Sequence, residues 1–189
     1  IREAAGFGTQ YVVITGMYRF DYGDERAVKQ LCADLNACGE ALAKEGLRLL
    51  YHNHNVEFCR LPSGRTAYDC ILENTDEHLV NFELDSYWPT EAGVHVPALM
   101  EKLGGRIKLW HINDRGSRIS GPSMTPILKS DSMELGYGNM DLELLTEKAL
   151  ENGIDGVILE SHKNWVDSDP VKSLQRSAAF IRRHFQEAA

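Results

Sequence analysis

Apolar runs of strand length alternate along this chain with segments whose apolar residues recur every three or four positions. Tyr11-Val-Val-Ile-Thr15, Leu47-Arg-Leu-Leu-Tyr-His52, Leu79-Val-Asn-Phe-Glu-Leu-Asp85, Ile107-Lys-Leu-Trp-His-Ile-Asn113 and Gly156-Val-Ile-Leu-Glu160 have the apolar, largely β-branched or leucine-rich character of buried strands. Between them lie helical patterns. Asp24 precedes Val28, Leu31, Cys32, Leu35, Cys38 and Leu42, and Gly46 stops the pattern. Thr66 and Asp69 form a capping-box pair that predicts a helix through Asn74. Val96, Leu99, Met100 and Leu103 predict a helix ending at Gly104-Gly105. Asp141 opens another through Leu142, Leu145, Ala149 and Leu150, closed at Gly153. Asp169-Pro170, a cap followed by proline at the first helical position, starts the last one, with Val171, Leu174, Ala178, Ile181 and Phe185 at helical spacing. From Asp114 to Asn139 no period is visible, and a long polar loop is expected; loops of that length are usually functional.

Five strands, each followed by a helix, predict an α/β fold with a parallel sheet and right-handed crossovers. No composition shift divides the chain, so residues 1–189 read as one domain. In such folds the reacting groups gather at the carboxyl ends of the strands. The second strand ends in His52-Asn53-His54, with Glu57 just beyond. The third ends in Asp85, with Glu83 two residues earlier on the same face. The fourth ends with His111, Asn113 and Asp114; the fifth ends in Glu160, with His162 two residues on. Carboxylates and imidazoles thus top four successive strands, and charged groups pointing into a protein interior must be paired or coordinated. Trp88 and Trp165 have the character of sugar-stacking residues, and Arg115 and Arg118 that of anion-holding residues in the long loop.

Composition narrows the partners. The chain has 189 residues, 43% hydrophobic and 25% charged, with 20 basic against 28 acidic residues, a net charge of −8. That surplus of acid argues against a nucleic-acid partner, whose phosphates are held mainly by Lys and Arg. No apolar run approaches the roughly 20 residues of a membrane span. The cysteines Cys32, Cys38, Cys59 and Cys70 form no C-x-x-C pair, and reduced thiols in a cytoplasmic protein are the expected state. The first residue is Ile1, not Met, and no signal-like stretch follows it, so a targeting segment ahead of Ile1 stays open.

Mixed carboxylate and imidazole ligands without thiolate suit one divalent ion, Mn²⁺, Zn²⁺, Co²⁺ or Mg²⁺. Such an ion polarises a substrate carbonyl. A flanking carboxylate then removes the proton from the adjacent carbon, the ion holds the resulting enediolate, and a second carboxylate returns the proton elsewhere. That is isomerase or epimerase chemistry. A dehydratase acting on a keto-inositol, or a lyase acting on an oxidised glycoside, begins with the same step. An abasic-site endonuclease needs more histidines and a basic groove.

The segments Tyr51-His-Asn-His-Asn-Val-Glu-Phe58, Phe82-Glu-Leu-Asp-Ser-Tyr-Trp88, Leu109-Trp-His-Ile-Asn-Asp-Arg115, Gly136-Tyr-Gly-Asn-Met-Asp141 and Val157-Ile-Leu-Glu-Ser-His162 resemble those of the xylose-isomerase-like TIM barrel superfamily, the sugar phosphate isomerase/epimerase and AP endonuclease family 2 group. The resemblance implies a TIM (β/α)8-type barrel. It also implies a divalent metal held by Glu57, Asp85, His111 and Glu160, with His52 as the substitute for Glu57. On this reading Glu57 and Glu160 are the acid/base residues. His52, His54, Trp88, Asn113, Arg115 and His162 contact a small carbohydrate substrate, and a homo-oligomer stays open. A (β/α)8 barrel takes about 250 residues, and Tyr11–Thr15 matches the fourth strand of such a barrel rather than the first. The expectation is therefore an incomplete barrel of about five C-terminal βα units.

Overall fold

A computed structural model of the chain describes residues 1–17, 19–119, 121 and 126–185, apart from the side chain of Arg2. In chain order the elements are α1 (Arg2–Gly6), β1 (Tyr11–Ile14), α2 (Glu25–Ala43), β2 (Arg48–His52), α3 (Ala67–Asn74), β3 (Val80–Asp85), α4 (Tyr87–Glu91), α5 (Val96–Leu103) and β4 (Ile107–Ile112). Then come β5 (Asp114–Gly116), β6 (Asp131–Met133), α6 (Leu142–Glu151), β7 (Gly156–Leu159) and α7 (Pro170–Phe185). The strands β1-β2-β3-β4-β7 form one parallel sheet in that order.

The helices begin where their caps predict. The Asp24 carboxylate accepts from the backbone N–H groups of Arg26, at 2.9 Å, and Ala27. The hydroxyl of Thr66 accepts from Asp69 N at 3.0 Å while the Asp69 carboxylate accepts from Thr66 N, closing the capping box of α3. Asp141 and Asp169 cap α6 and α7 in the same way. Along α2 the buried residues Val28, Leu31, Cys32, Leu35 and Leu42 form one stripe facing the sheet. Gly39 sits in that stripe because a Cβ there would lie 2.5 Å from the carbonyl oxygen of Leu79. Only glycine lets the helix approach the chain entering β3 so closely.

The centre and the edges of the sheet differ in burial. Every residue of β3 is buried, as are Leu49 to His52 of β2. All four residues of β1 are only partly buried, and Ile158 of β7 is 38% exposed. Among the described residues no strand pairs with the outer side of β1 or β7. The sheet is nonetheless strongly curved. A flat five-strand sheet would hold its edges about 19 Å apart, yet the Tyr11 hydroxyl at the start of β1 donates to the carboxylate of Asp155, the residue before β7. The architecture is an incomplete α/β barrel. Trp110 turns away from its interior, as its parity with respect to His111 predicts: its ring lies 6.3 Å from that of Phe185 on α7.

The region after β4 departs from expectation. Instead of a featureless loop, Asp114–Gly116 and Asp131–Met133 pair as an antiparallel ribbon; residues 120 and 122–125 of the expected loop lie outside the described residues. The cause is Asp114. Its buried carboxylate accepts from the backbone N–H groups of Arg115, Gly136, Gly138 and Met140, at 2.8, 3.0, 2.8 and 3.2 Å. A Cβ on Gly138 would lie 2.2 Å from that carboxylate, so only glycine there lets the backbone wrap it. The short helices α1 and α4 carry no apolar period and went unpredicted. Among the described residues no helix is long and apolar enough to cross a membrane.

Candidate metal centre

Parallel pairing sets the geometry at the carboxyl ends of the strands. His52 is in register with Glu83, and Asp85 with His111. Glu160 follows β7 directly, and its backbone N–H donates to the carbonyl oxygen of Ile112. His52, Asp85, His111 and Glu160 thereby converge, each offering one ligand atom, with all four atoms within 4.8 Å of one another. His52 and Asp85 are buried, and His111 and Glu160 are partly so. Ligand atoms bound at roughly 2.1 Å to a common ion stand at most about 4.2 Å apart, so a small contraction brings this donor set onto a divalent cation. Two imidazoles and two carboxylates are also a suitable donor mixture for one.

The electrostatics are those of a crowded site. Burial, and then the neighbouring Glu160 carboxylate, raise the pKa of Asp85 well above the usual carboxylate range. Glu160 is held far below its ordinary value, chiefly by its hydrogen bond to His111. For His111 burial favours the neutral ring, but the carboxylates of Glu160 and Glu83 outweigh it and raise its pKa to about 9. His111 Nδ1 stands 3.4 Å from Glu160 Oε2, and its Nε2 contacts Glu83. The buried Nδ1 of His52 has no hydrogen-bond partner. Like charges in one buried cluster are costly without a cation to share them.

Other predicted residues surround this cluster. Glu57 is fully buried and lies outside the four-residue group: one carboxylate oxygen accepts from the Tyr51 hydroxyl at 2.8 Å, the other from His54 N at 3.0 Å. It nevertheless lines the same cavity, an open cleft of about 810 Å³ bounded by Phe20, Tyr22, His52, His54, His111 and Glu160. The His54 ring lies 5.1 Å from His52 and 5.6 Å from Trp88. A second opening of about 210 Å³ is lined by Trp88, Asn113, Glu160 and His162, so Glu160 borders both cavities. Asn113 Nδ2 donates to the Asp85 carboxylate at 3.3 Å, and His162 Nε2 lies 2.7 Å from Glu160. Arg115 is not brought to the cluster; its Nε donates to Glu91. Arg118 pairs with Glu134, and Trp165 donates to Ser161.

Two residues at the site were named in the sequence but given no role there. Asn53 clamps the ends of β2 and β3, its Nδ2 donating to Asp85 O at 3.0 Å and its Oδ1 accepting from Asp85 N at 3.1 Å. Glu83 lies against both histidines of the cluster, and its parity with Asp85 was the available signal.

Comparison with known proteins gives the same outline. A family model described as the xylose isomerase-like TIM barrel matches residues 1–184. A sugar phosphate isomerase/epimerase from Parabacteroides distasonis is 30% identical with a TM-score of 0.75, over 94% of this chain and 59% of that one. The inosose dehydratase of Lactiplantibacillus plantarum is 22% identical over 183 residues, 88% of this chain and 57% of the relative. A xylose isomerase-like TIM barrel protein from Mycobacterium smegmatis, in complex with magnesium, shares the fold at a TM-score of 0.69 and 16% identity, over 99% of this chain and 64% of that one. The chain thus spans a little over half the length of the curated relative it matches.

Proposed function

The chain belongs to the xylose isomerase-like TIM barrel family, and from that premise we propose that it carries the metal site of a sugar or keto-sugar isomerase or epimerase. One observation carries the reading: four ligand atoms from His52, Asp85, His111 and Glu160 converge within 4.8 Å, beside a cleft that His52, His111 and Glu160 line. These four residues would hold one divalent ion, with His52 in preference to Glu57 as the ligand from β2. The ion's contribution there is to polarise a substrate carbonyl.

The remaining work falls to the chain itself. Glu57 lies on the same cleft and is free of the ion in this assignment. It takes the proton from the carbon beside the substrate carbonyl, and the Tyr51 hydroxyl and His54 N–H hold its carboxylate in place. Glu160, bordering both cavities, is placed to return a proton on the other side. The rings of Trp88 and His54 give the sugar an aromatic wall, and Asn113 and His162 offer polar contacts.

A dehydratase of a keto-inositol is the second reading, favoured by the inosose dehydratases among the relatives. It uses the same first proton removal and then expels a hydroxyl group as water. Incubation with a panel of ketoses and keto-inositols in deuterated water tests both. Isomerisation or epimerisation incorporates solvent deuterium without loss of mass; dehydration removes one water. If no substrate of the panel exchanges a carbon-bound proton, the proton-transfer reading fails.

A further inference from the structure

Glu83 has no part in the chemistry above, yet it is almost fully buried, at 4% exposure, in the middle of the sheet's charged end. A buried carboxylate needs partners. The same oxygen, Oε1, contacts His111 Nε2 and lies 3.6 Å from His52 Nδ1. These are the two imidazoles of the four-residue cluster, on strands to either side of β3. The His52 and His111 rings are 4.6 Å apart, and Glu83 is the acidic residue seated against both.

An imidazole offers a metal only one nitrogen at a time, and what its other nitrogen binds decides which. Resting on the metal-site reading above, we infer that Glu83 is a positioning residue that selects the ligating nitrogen of both histidines. By accepting a hydrogen bond from His111 Nε2–H it keeps the proton there and leaves Nδ1 for the ion, on the side where that atom already stands 3.4 Å from Glu160, another member of the cluster. By attracting the Nδ1–H of His52 it leaves that ring's Nε2 for the ion. The otherwise unpartnered Nδ1 of His52 is accounted for in this arrangement. Asp85, two residues further along β3, supplies a ligand directly, so one strand provides both a ligand and the group that orients two others.

The test uses Zn²⁺, which is diamagnetic, with chelator competition for affinity and nitrogen-15 imidazole spectra for the ligating atoms. Wild-type protein is expected to show one species, with His111 bound through Nδ1 and protonated at Nε2. Glu83→Gln, which keeps the shape and removes the charge, is expected to bind Zn²⁺ about 10–100-fold more weakly. Glu83→Leu is expected to give mixed Nδ1 and Nε2 coordination. Melting of the metal-free variants establishes that they fold, and the wild-type spectrum decides the question even where a variant does not. Zn²⁺ bound through His111 Nε2, or folded variants that bind within twofold of wild type, would overturn the role of Glu83 and leave the metal site standing. A wild-type protein that takes up no Zn²⁺ would overturn both.

Discussion

At the carboxyl end of the sheet, Asp85, Glu160 and Glu83 face one another across two imidazoles. In the ribbon that follows β4, Asp114 and Glu134 are as deeply buried, at 1% and 3% exposure. Yet Asp114 is surrounded by four backbone N–H donors, and Glu134 accepts from Arg118, Val166 N and the Ser173 hydroxyl. Burial alone therefore does not mark a functional acid. The ribbon carboxylates have spent their lone pairs on the fold; at the sheet end Glu83 and Glu160 face histidine, and Asp85, which accepts from Tyr87 N and Asn113 Nδ2, also crowds Glu160, an arrangement suited to a cation.

Glu57 stands between the two classes, satisfied by two donors yet on the cleft wall, and it gives the largest expected effect. Glu57→Gln should lower solvent-proton exchange into substrate by about 10²–10⁴-fold and leave metal content unchanged. Loss of metal in that variant would move Glu57 into the ligand set.

Asp114→Ala sharpens the contrast from the other side. It leaves several backbone N–H groups buried without an acceptor and should cost about 2–4 kcal/mol of stability, read by denaturant unfolding. Folded Asp114→Ala should still bind metal in full proportion. A variant that keeps its stability but loses metal would place Asp114 in the site.

A smaller effect separates the regions by pH. His111 titrates near 9, above the ordinary value near 6.5. Its imidazolium therefore stabilises the metal-free fold fully below about 6.5, and that contribution is lost as pH rises through 9. The raised pKa of Asp85 adds a loss of the same sign over the rise from the usual carboxylate range. Protons leaving these two groups make room for the ion, so metal affinity should climb across the same window. Metal binding that is flat from pH 6 to 9 would contradict the ligand assignment.

Much of this was legible in the sequence, for particular reasons. The five strands of the sheet announce themselves through short runs rich in apolar residues, and the helices through caps such as Thr66 with Asp69. The convergence of Asp85, His111 and Glu160 follows from strand ends in a parallel array. The ribbon was illegible because Asp114-Arg-Gly and Asp131-Ser-Met are too short and polar to show a period, and a side chain rather than a hydrophobic face holds them. The choice between His52 and Glu57 was open because a short turn, Val56–Phe58, carries Glu57 away from strand register and only coordinates reveal where it points. The smallest prediction belongs to the legible part: Thr66→Ala should cost about 1 kcal/mol, seen as a small fall in melting temperature with metal uptake unchanged.

The central claim is that the sheet-end cluster binds one divalent ion. Metal analysis of wild-type protein after equilibration with Mn²⁺, Zn²⁺, Co²⁺ or Mg²⁺ and exhaustive desalting, beside Asp85→Ala, His111→Ala and Glu160→Ala, tests it most directly. The account predicts about one ion per wild-type chain and a loss of ion in each folded variant. Equal metal content in all four proteins would contradict it.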